Sequence, residues 1–375
     1  MIQYNLHPSQ KKNLRPCRRL KTPTAVLSIK LFNHRWGRKP PSGFQKMIGQ
    51  IIHIEQCGFL TTLQDAGRQG FLQYGVSKGG AMDLRSAYLA NILLGNDKNE
   101  AVLEITQSPH RFLFLQDTVV AFTGRGLQPH LNNQHIPLYQ PVFIPADSEI
   151  ELKQQIPGFR LYMAAAGGFK SDEFLQSHST NLLVKAGGHH GRPLKKEDLL
   201  LIKTPLTAIQ KNLFAVLKSG AKIEWTIQLP SFNTNIIRVI QGVEWNYLNK
   251  SSKELFTSSA FKVSPQSNRM GYRLKGELLK TIQPCEIISS AVTQGTVQLT
   301  ASGEMIALMA DSQTVGGYPR IAQVCSVDLP VFAQKKPGDD IQFQFISLQE
   351  AEELYLNEEK FLREVKEIVH RIAKQ

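Results

Sequence analysis

Cysteine is scarce. Four stand in 375 residues, at positions 17, 57, 285 and 325, and none has CxxC spacing. That argues against a thiolate zinc site and a disulfide scaffold, and it suits a reducing cytoplasm. Long apolar runs are missing too. The nearest, Phe112 to Phe122, is cut by Gln116 and Asp117, short of the roughly 18 residues a membrane helix needs. No G-x-x-x-x-G-K-[ST] string occurs, which excludes a Walker-type ATP loop. No Met-Lys-Met segment occurs either, so the chain has no biotin-attachment signature of its own.

Acid is absent from the first 46 residues, which hold six Lys and five Arg. This segment carries +11 of the +13 total, leaving the body near neutral. A basic groove for nucleic acid is therefore not expected. Residues 1–46 have no apolar period, five prolines and no clean signal core. The favoured reading is a disordered or spurious extension, with the true start at Met47. A transit peptide is the compositional alternative.

The body reads as β-rich. Ile51-Ile52-His53-Ile54 opens a strand pattern. Pro157-Gly158 precedes a strand at 159–163, and Ser302-Gly303 sits between the strands of a hairpin. Pro337-Gly338-Asp339 precedes the alternating run 341–345. One helix is expected from Asp83, as N-cap, to Gly95. A second runs from about Ser347 to the C-terminus, with Leu354, Phe361, Val365, Ile368 and Ile372 as its stripe. Many strands and few helices imply barrels or sandwiches. Gly67-Arg68-Gln69-Gly70-Phe71 echoes Asn268-Arg269-Met270-Gly271-Tyr272, which suggests two related β-domains divided near 205–230.

Several strings invite chemical readings. Gly75-Val76-Ser77-Lys78-Gly79 fits G-x-S-x-G, but the body lacks the alternating strands and helices that a nucleophile elbow requires. His189-His190 has no carboxylate cluster spaced to complete a metal site, so no metal is expected. Two polar strings are richer. One runs Gln64-Asp65-Ala66-Gly67-Arg68 and continues to Asp83; the other spans Asp311 to Arg320. Each mixes carboxylate, amide and guanidinium with turn-forming glycine. Arginine offers a planar fork to a carboxylate or phosphate, and a neighbouring aspartate can orient water or accept a proton.

From about Ile51 to Glu350 the sequence resembles the 5-oxoprolinase C-subunit family, also called allophanate hydrolase subunit 2. It is similar as well to the carboxyltransferase domain of urea amidolyase. The matching segments are Thr62-Leu63-Gln64-Asp65-x-Gly67-Arg68, Gly75-Val76-Ser77-x-x-Gly80-Ala81-Met82-Asp83, Ala90-Asn91-x-Leu93-Leu94-Gly95-Asn96 and Leu103-Glu104-x-Thr106. Ala165-Ala166-Gly167-Gly168, Ser267 to Leu274 and Gln313-Thr314-x-Gly316-Gly317-Tyr318-Pro319 follow in order. Two departures stand out: Gln107-Ser108-Pro109-His110 replaces a Gly-Pro step, and His178 replaces an arginine in the loop 176–180.

The resemblance implies a mainly β fold: two cyclophilin-like β-barrel subdomains, few short helices and a C-terminal helix. The expected division is 1–46 extension, 47–215 and 216–346 barrels, and 347–375 helix. It implies membership of an ATP-dependent complex, with companion A and B subunits, that opens 5-oxo-L-proline to L-glutamate. ATP contact would be shared with those partners; neither nucleic acid nor membrane is an expected partner. Amide resonance makes the lactam carbonyl a poor electrophile, and phosphorylating its oxygen creates a leaving group. Such chemistry needs donors for a carboxylate, a phosphate and an oxyanion. Arg68 and Arg269 are the expected anion binders, with Asp65 and Glu104 as acid/base or orienting carboxylates. Gln64, Asp83, Asn91, Asn268, Gln313, Thr314 and Tyr318 are the expected substrate contacts. Two other classes remain: a biotin-dependent carboxyltransferase served by a carrier in trans, and a regulator that antagonises a kinase inhibitor.

Overall fold

Alternation decides the strands. In Asp340–Phe345, Ile341 and Phe343 point inward while Asp340, Gln342 and Gln344 face out. The computed structural model describes residues 50–372, apart from 108, 155–156, 221–226, 228–233 and 284–286. The leader, Met47, Ser108, Cys17, Cys285 and the side chain of Ile372 lie outside what is described.

The amino-terminal half is built from two sheets. One has the spatial order Leu199–Leu201, Ile51–Gln56, His110–Phe114, Ser148–Gln154, Leu127–Leu131 and Gln134–His135. The other runs Leu60–Gln64, Val102–Thr106, Arg160–Ala165, Thr118–Gly124 and Pro141–Ile144. Side chains from both, among them Ile52, Phe112, Leu103 and Phe122, share one core. The carboxy-terminal half is a closed barrel of Ile236–Gln241, Arg320–Val324, Thr296–Leu299, Met305–Leu308, Gly271–Lys275, Phe261–Val263 and Asp340–Phe345. The fold is mainly β, as expected. The Ser302-Gly303 turn joins an antiparallel pair, Thr296–Leu299 with Met305–Leu308.

Thr118–Gly124 is buried along its whole length because both faces are covered. Val120 and Phe122 enter the sheet core; Val119 and Ala121 meet helix α1, Leu84–Leu93. Asp83 caps α1 by accepting from Ser86 N, as the sequence suggested. Two short helices, α2 (Ala208–Lys218) and α3 (Lys250–Ser258), precede α4 (Leu329–Ala333). Helix α5, Leu348–Ile372, returns to the amino-terminal half and packs Leu362 and Val365 on Leu89 and Ile92 of α1. Its first turn closes a capping box, Ser347 with Glu350. The expected stripe needs one correction. Ile368 is 42% exposed, and Leu362 and Val369 take the buried positions. The inward face follows 358, 362, 365 and 369, the i+3/i+4 track that faces α1. Among the described residues, no helix is long and apolar enough to cross a membrane.

Candidate functional site

The loop after Leu60–Gln64 carries the first polar string. Asp65 accepts from Gly67 N at 2.8 Å, Ser177 Oγ at 2.7 Å, Ser179 Oγ at 2.5 Å and His178 N at 2.5 Å. The carboxylate thus pins residues 177–179 beside the loop. Arg68 N donates to Lys78 O at 2.6 Å, which lays 65–68 against 78–81. The Arg68 side chain is 1% exposed. Its Nη2 donates to Ser179 O at 2.5 Å, and its Cζ lies 5.0 Å from the Phe174 ring centre. Its Nε and Nη1 have no acceptor among the described residues. Burial pushes the guanidinium pKa down, and Asp65 and Asp311 oppose that.

Gly79 seats this arginine. Its φ is +65°, and a Cβ there would stand 2.8 Å from Arg68 Nη1 and 3.7 Å from Asp311 Oδ1. Glycine is required both for the backbone angle and for the space. The echoed arginine lies just beyond. Arg269 grips Asp311 through Nε at 2.8 Å and Nη2 at 3.1 Å, and Nη2 also donates to Gly80 O at 2.6 Å. Its Nη1 donates to Glu104 Oε1. Every nitrogen of the Arg269 side chain therefore has a protein acceptor. Burial works against its charge, but Asp311 and Glu104 drive its pKa well above the usual value.

Glu104 is equally engaged. Its Oε2 accepts from Met82 N at 2.7 Å and Tyr162 Oη at 2.8 Å, and Arg160 Nε stands 3.8 Å from Oε1. Arg160 Nη1 donates to Tyr272 Oη at 2.7 Å and to Ala333 O. Gln334 accepts from Phe159 N and Arg160 N and donates to Asp83 at 2.8 Å. These residues form one buried polar knot that joins the two halves. Such groups are tolerable in a core only when nearly every atom is paired.

The structure gathers Gln64, Asp65, Arg68, Glu104 and Arg269 along this seam. Gln64 is fully buried and donates to Thr62 Oγ1 at 2.9 Å and Thr180 O at 3.3 Å. Asp83 joins the knot as helix cap, and burial raises its pKa. The other expected contacts sit apart from Arg68 in the bonds they make. Asn91 ties Glu100 O and Asn96 at the end of α1. Asn268 accepts from Met270 N at 2.8 Å and shapes the turn that presents Arg269. Gln313 and Tyr318 meet Gln298, and Thr314 O accepts from Val292 N. Sequence reasoning did not assign site roles to Asp311, Ser177, Ser179, Gly79 or Arg160. Asp311 stood in a polar string, the serines in the loop 176–180 and the glycine in the G-x-S-x-G string; Arg160 carries no motif. His189 and His190 lie with ring centres 4.5 Å apart, near Asp198 and Asp172. Among the described residues, no group of three or more His, Cys, Asp or Glu is placed to hold a metal ion.

Residues 74–345 match the carboxyltransferase domain family, subdomains A and B. This chain belongs to that family. The carboxyltransferase-domain protein is 35% identical over 316 residues to the C-subunit of 5-oxoprolinase from Escherichia coli K12, spanning 84% of this chain and 97% of that one. It is 30% identical over 315 residues to urea amidolyase of Saccharomyces cerevisiae, where it covers 17% of the longer protein. The solved K. lactis urea amidolyase superposes with a TM-score of 0.75 at 27% identity, over 84% of this chain and 20% of that one.

Proposed function

We propose that this carboxyltransferase-domain protein is the C-subunit of an ATP-dependent 5-oxoprolinase, opening 5-oxo-L-proline to L-glutamate with two companion subunits. The observation that carries this reading is its similarity to the 5-oxoprolinase C-subunit across 97% of that protein's length. In this reading Arg68 is the anion receptor, because its Nε and Nη1 are both buried with no acceptor among the described residues. Such donors fit a carboxylate or a phosphate oxygen. Asp65 and Glu104 orient rather than transfer protons, since both carboxylates are already held by several donors. Arg269 positions Glu104 and Asp311. ATP supplies the phosphoryl group that activates the lactam oxygen. Its contacts are shared with the companion subunits, as this chain has no Walker-type phosphate loop.

A second reading is supported by the similarity to urea amidolyase: carboxyl transfer from a biotin carrier supplied in trans. Arg68 would then hold the carboxylate of that carrier group. Co-expression with oxoprolinase partners separates the two. ATP hydrolysis that depends on 5-oxoproline is expected from the assembled complex. Copurification with a biotin carrier, and no such hydrolysis, would replace the first reading with the second.

A further inference from the structure

Of the buried side chains that have atoms without partners among the described residues, two lean on neighbouring residues of one loop. Gln64 donates through Nε2 to the Thr180 carbonyl. A carbonyl only accepts, so this contact fixes which end of the amide is nitrogen. The other end, Oε1, receives no donor. Arg68 donates to the preceding carbonyl, Ser179 O, while its Nε and Nη1 remain open. One residue therefore offers an unused acceptor and the other unused donors. Burying such atoms unpaired is costly, and a ligand that pairs them recovers that cost. Glycines line the arginine on two sides. A Cβ at Gly79 would meet Arg68 Nη1 at 2.8 Å, and one at Gly187 would meet Arg68 Nη2 at 3.3 Å.

We infer that Arg68 and Gln64 are two ends of one binding site for a small acid that carries an N–H donor beside its carboxylate. Arg68 receives the carboxylate, and Gln64 Oε1 receives the N–H. Gln64 is thus a specificity-determining residue: it accepts from a lactam nitrogen and finds nothing to accept from a lactone oxygen. The unpaired atoms are shut off from bulk water, so entry requires the segment 174–187 to move. That segment is held to the body by the Asp65 bonds to residues 177–179, by Thr180 N to Leu63 O and by the isolated bridge of Asp172 to Gly188, rather than by an extended ladder. The identity of the acid as 5-oxoproline rests on the proposed function; the pairing of the two residues does not.

The test is calorimetric binding to the full chain assembled with its companion subunits. The ligands are 5-oxoproline, the lactone acid with ring oxygen in place of N–H, and 2-pyrrolidinone, which lacks the carboxylate. The lactone acid and 2-pyrrolidinone should each bind roughly tenfold to a hundredfold more weakly than 5-oxoproline. Gln64→Met should bind lactam and lactone acids alike, and Arg68→Lys should weaken both acids while leaving 2-pyrrolidinone unchanged. Equal binding of lactam and lactone by the unaltered protein overturns the inference without relying on any variant. If 5-oxoproline drives no ATP hydrolysis, the oxoprolinase reading fails instead. The site is then probed with N-acetylglycine against O-acetylglycolate; preference for the amide sustains the Arg68–Gln64 pairing, and equal binding sinks it.

Discussion

Replacing Arg269 with alanine would strip Glu104 and Asp311 of their shared cation inside the seam. Removing one partner of a buried ion pair costs on the order of 3–5 kcal/mol, since the other charge stays buried. Arg269→Ala is therefore expected to lower stability sharply in urea unfolding. Arg68→Lys differs in kind. It keeps a charge but loses the planar fork, so turnover should fall about tenfold to a hundredfold while the melting temperature moves little. If Arg68→Lys mainly melts the protein and leaves turnover at low temperature intact, Arg68 is a staple. Gly79→Ala places a methyl against Arg68 Nη1 at a left-handed backbone position. Activity and stability should both drop, by roughly 1 kcal/mol or more in stability. His110 sets a pH response. It is fully buried, bonded to Thr61 Oγ1 at 2.7 Å, and burial pushes its pKa down to about 4. The unfolded chain takes up this proton near pH 6.5 and the native state does not. Stability should thus fall as pH drops from about 6.5 to about 4, by up to about 3 kcal/mol from this group. His110→Gln should flatten that part of the urea-unfolding profile.

At the level of elements, helices α1 and α5 depend on each other. Leu89 and Ile92 are covered by Leu362 and Val365, and Arg85 of α1 pairs with Glu358 of α5. Val365→Asp would bury an unpaired carboxylate against α1, so a melting temperature lower by several degrees is expected. An unchanged value would show that α5 is not docked there. Much of this level was legible beforehand. Turn dipeptides marked the hairpin at Ser302-Gly303, and Asp83 announced α1. The α5 stripe was misread at Ile368 because a single helix gives several apolar tracks, and only the partner surface selects one. The site was half legible. Arg68 and Arg269 look alike in sequence, each an arginine followed at the second and third positions by glycine and an aromatic. Their difference lies in Asp311 and Glu104, which reach Arg269 from 42 and 165 residues away. No local pattern reports such distances. Glu104 was expected as an acid/base or orienting carboxylate; its strand position was visible in the sequence, and its buried partners were not.

Across the whole molecule, the knot of Glu104, Arg160, Arg269, Asp311 and Gln334 makes the two halves one structural unit. Anion binding and assembly should then be properties of the intact body. The isolated chain has no Walker-type phosphate loop, so under the proposed function it is expected to show no 5-oxoproline-dependent ATP hydrolysis until companion subunits are added. Substantial turnover by the chain alone would refute the multi-subunit assignment. The return of α5 to α1 bears on how the protein is made. Helix α1 ends at Leu93, and its cover begins only at Leu348. During synthesis the apolar strip of Leu89 and Ile92 must wait until the barrel has emerged from the ribosome and the last helix has followed it. A premature stop anywhere before residue 348 would leave a finished amino-terminal half with a sticky, uncovered flank, open to chaperones and to aggregation.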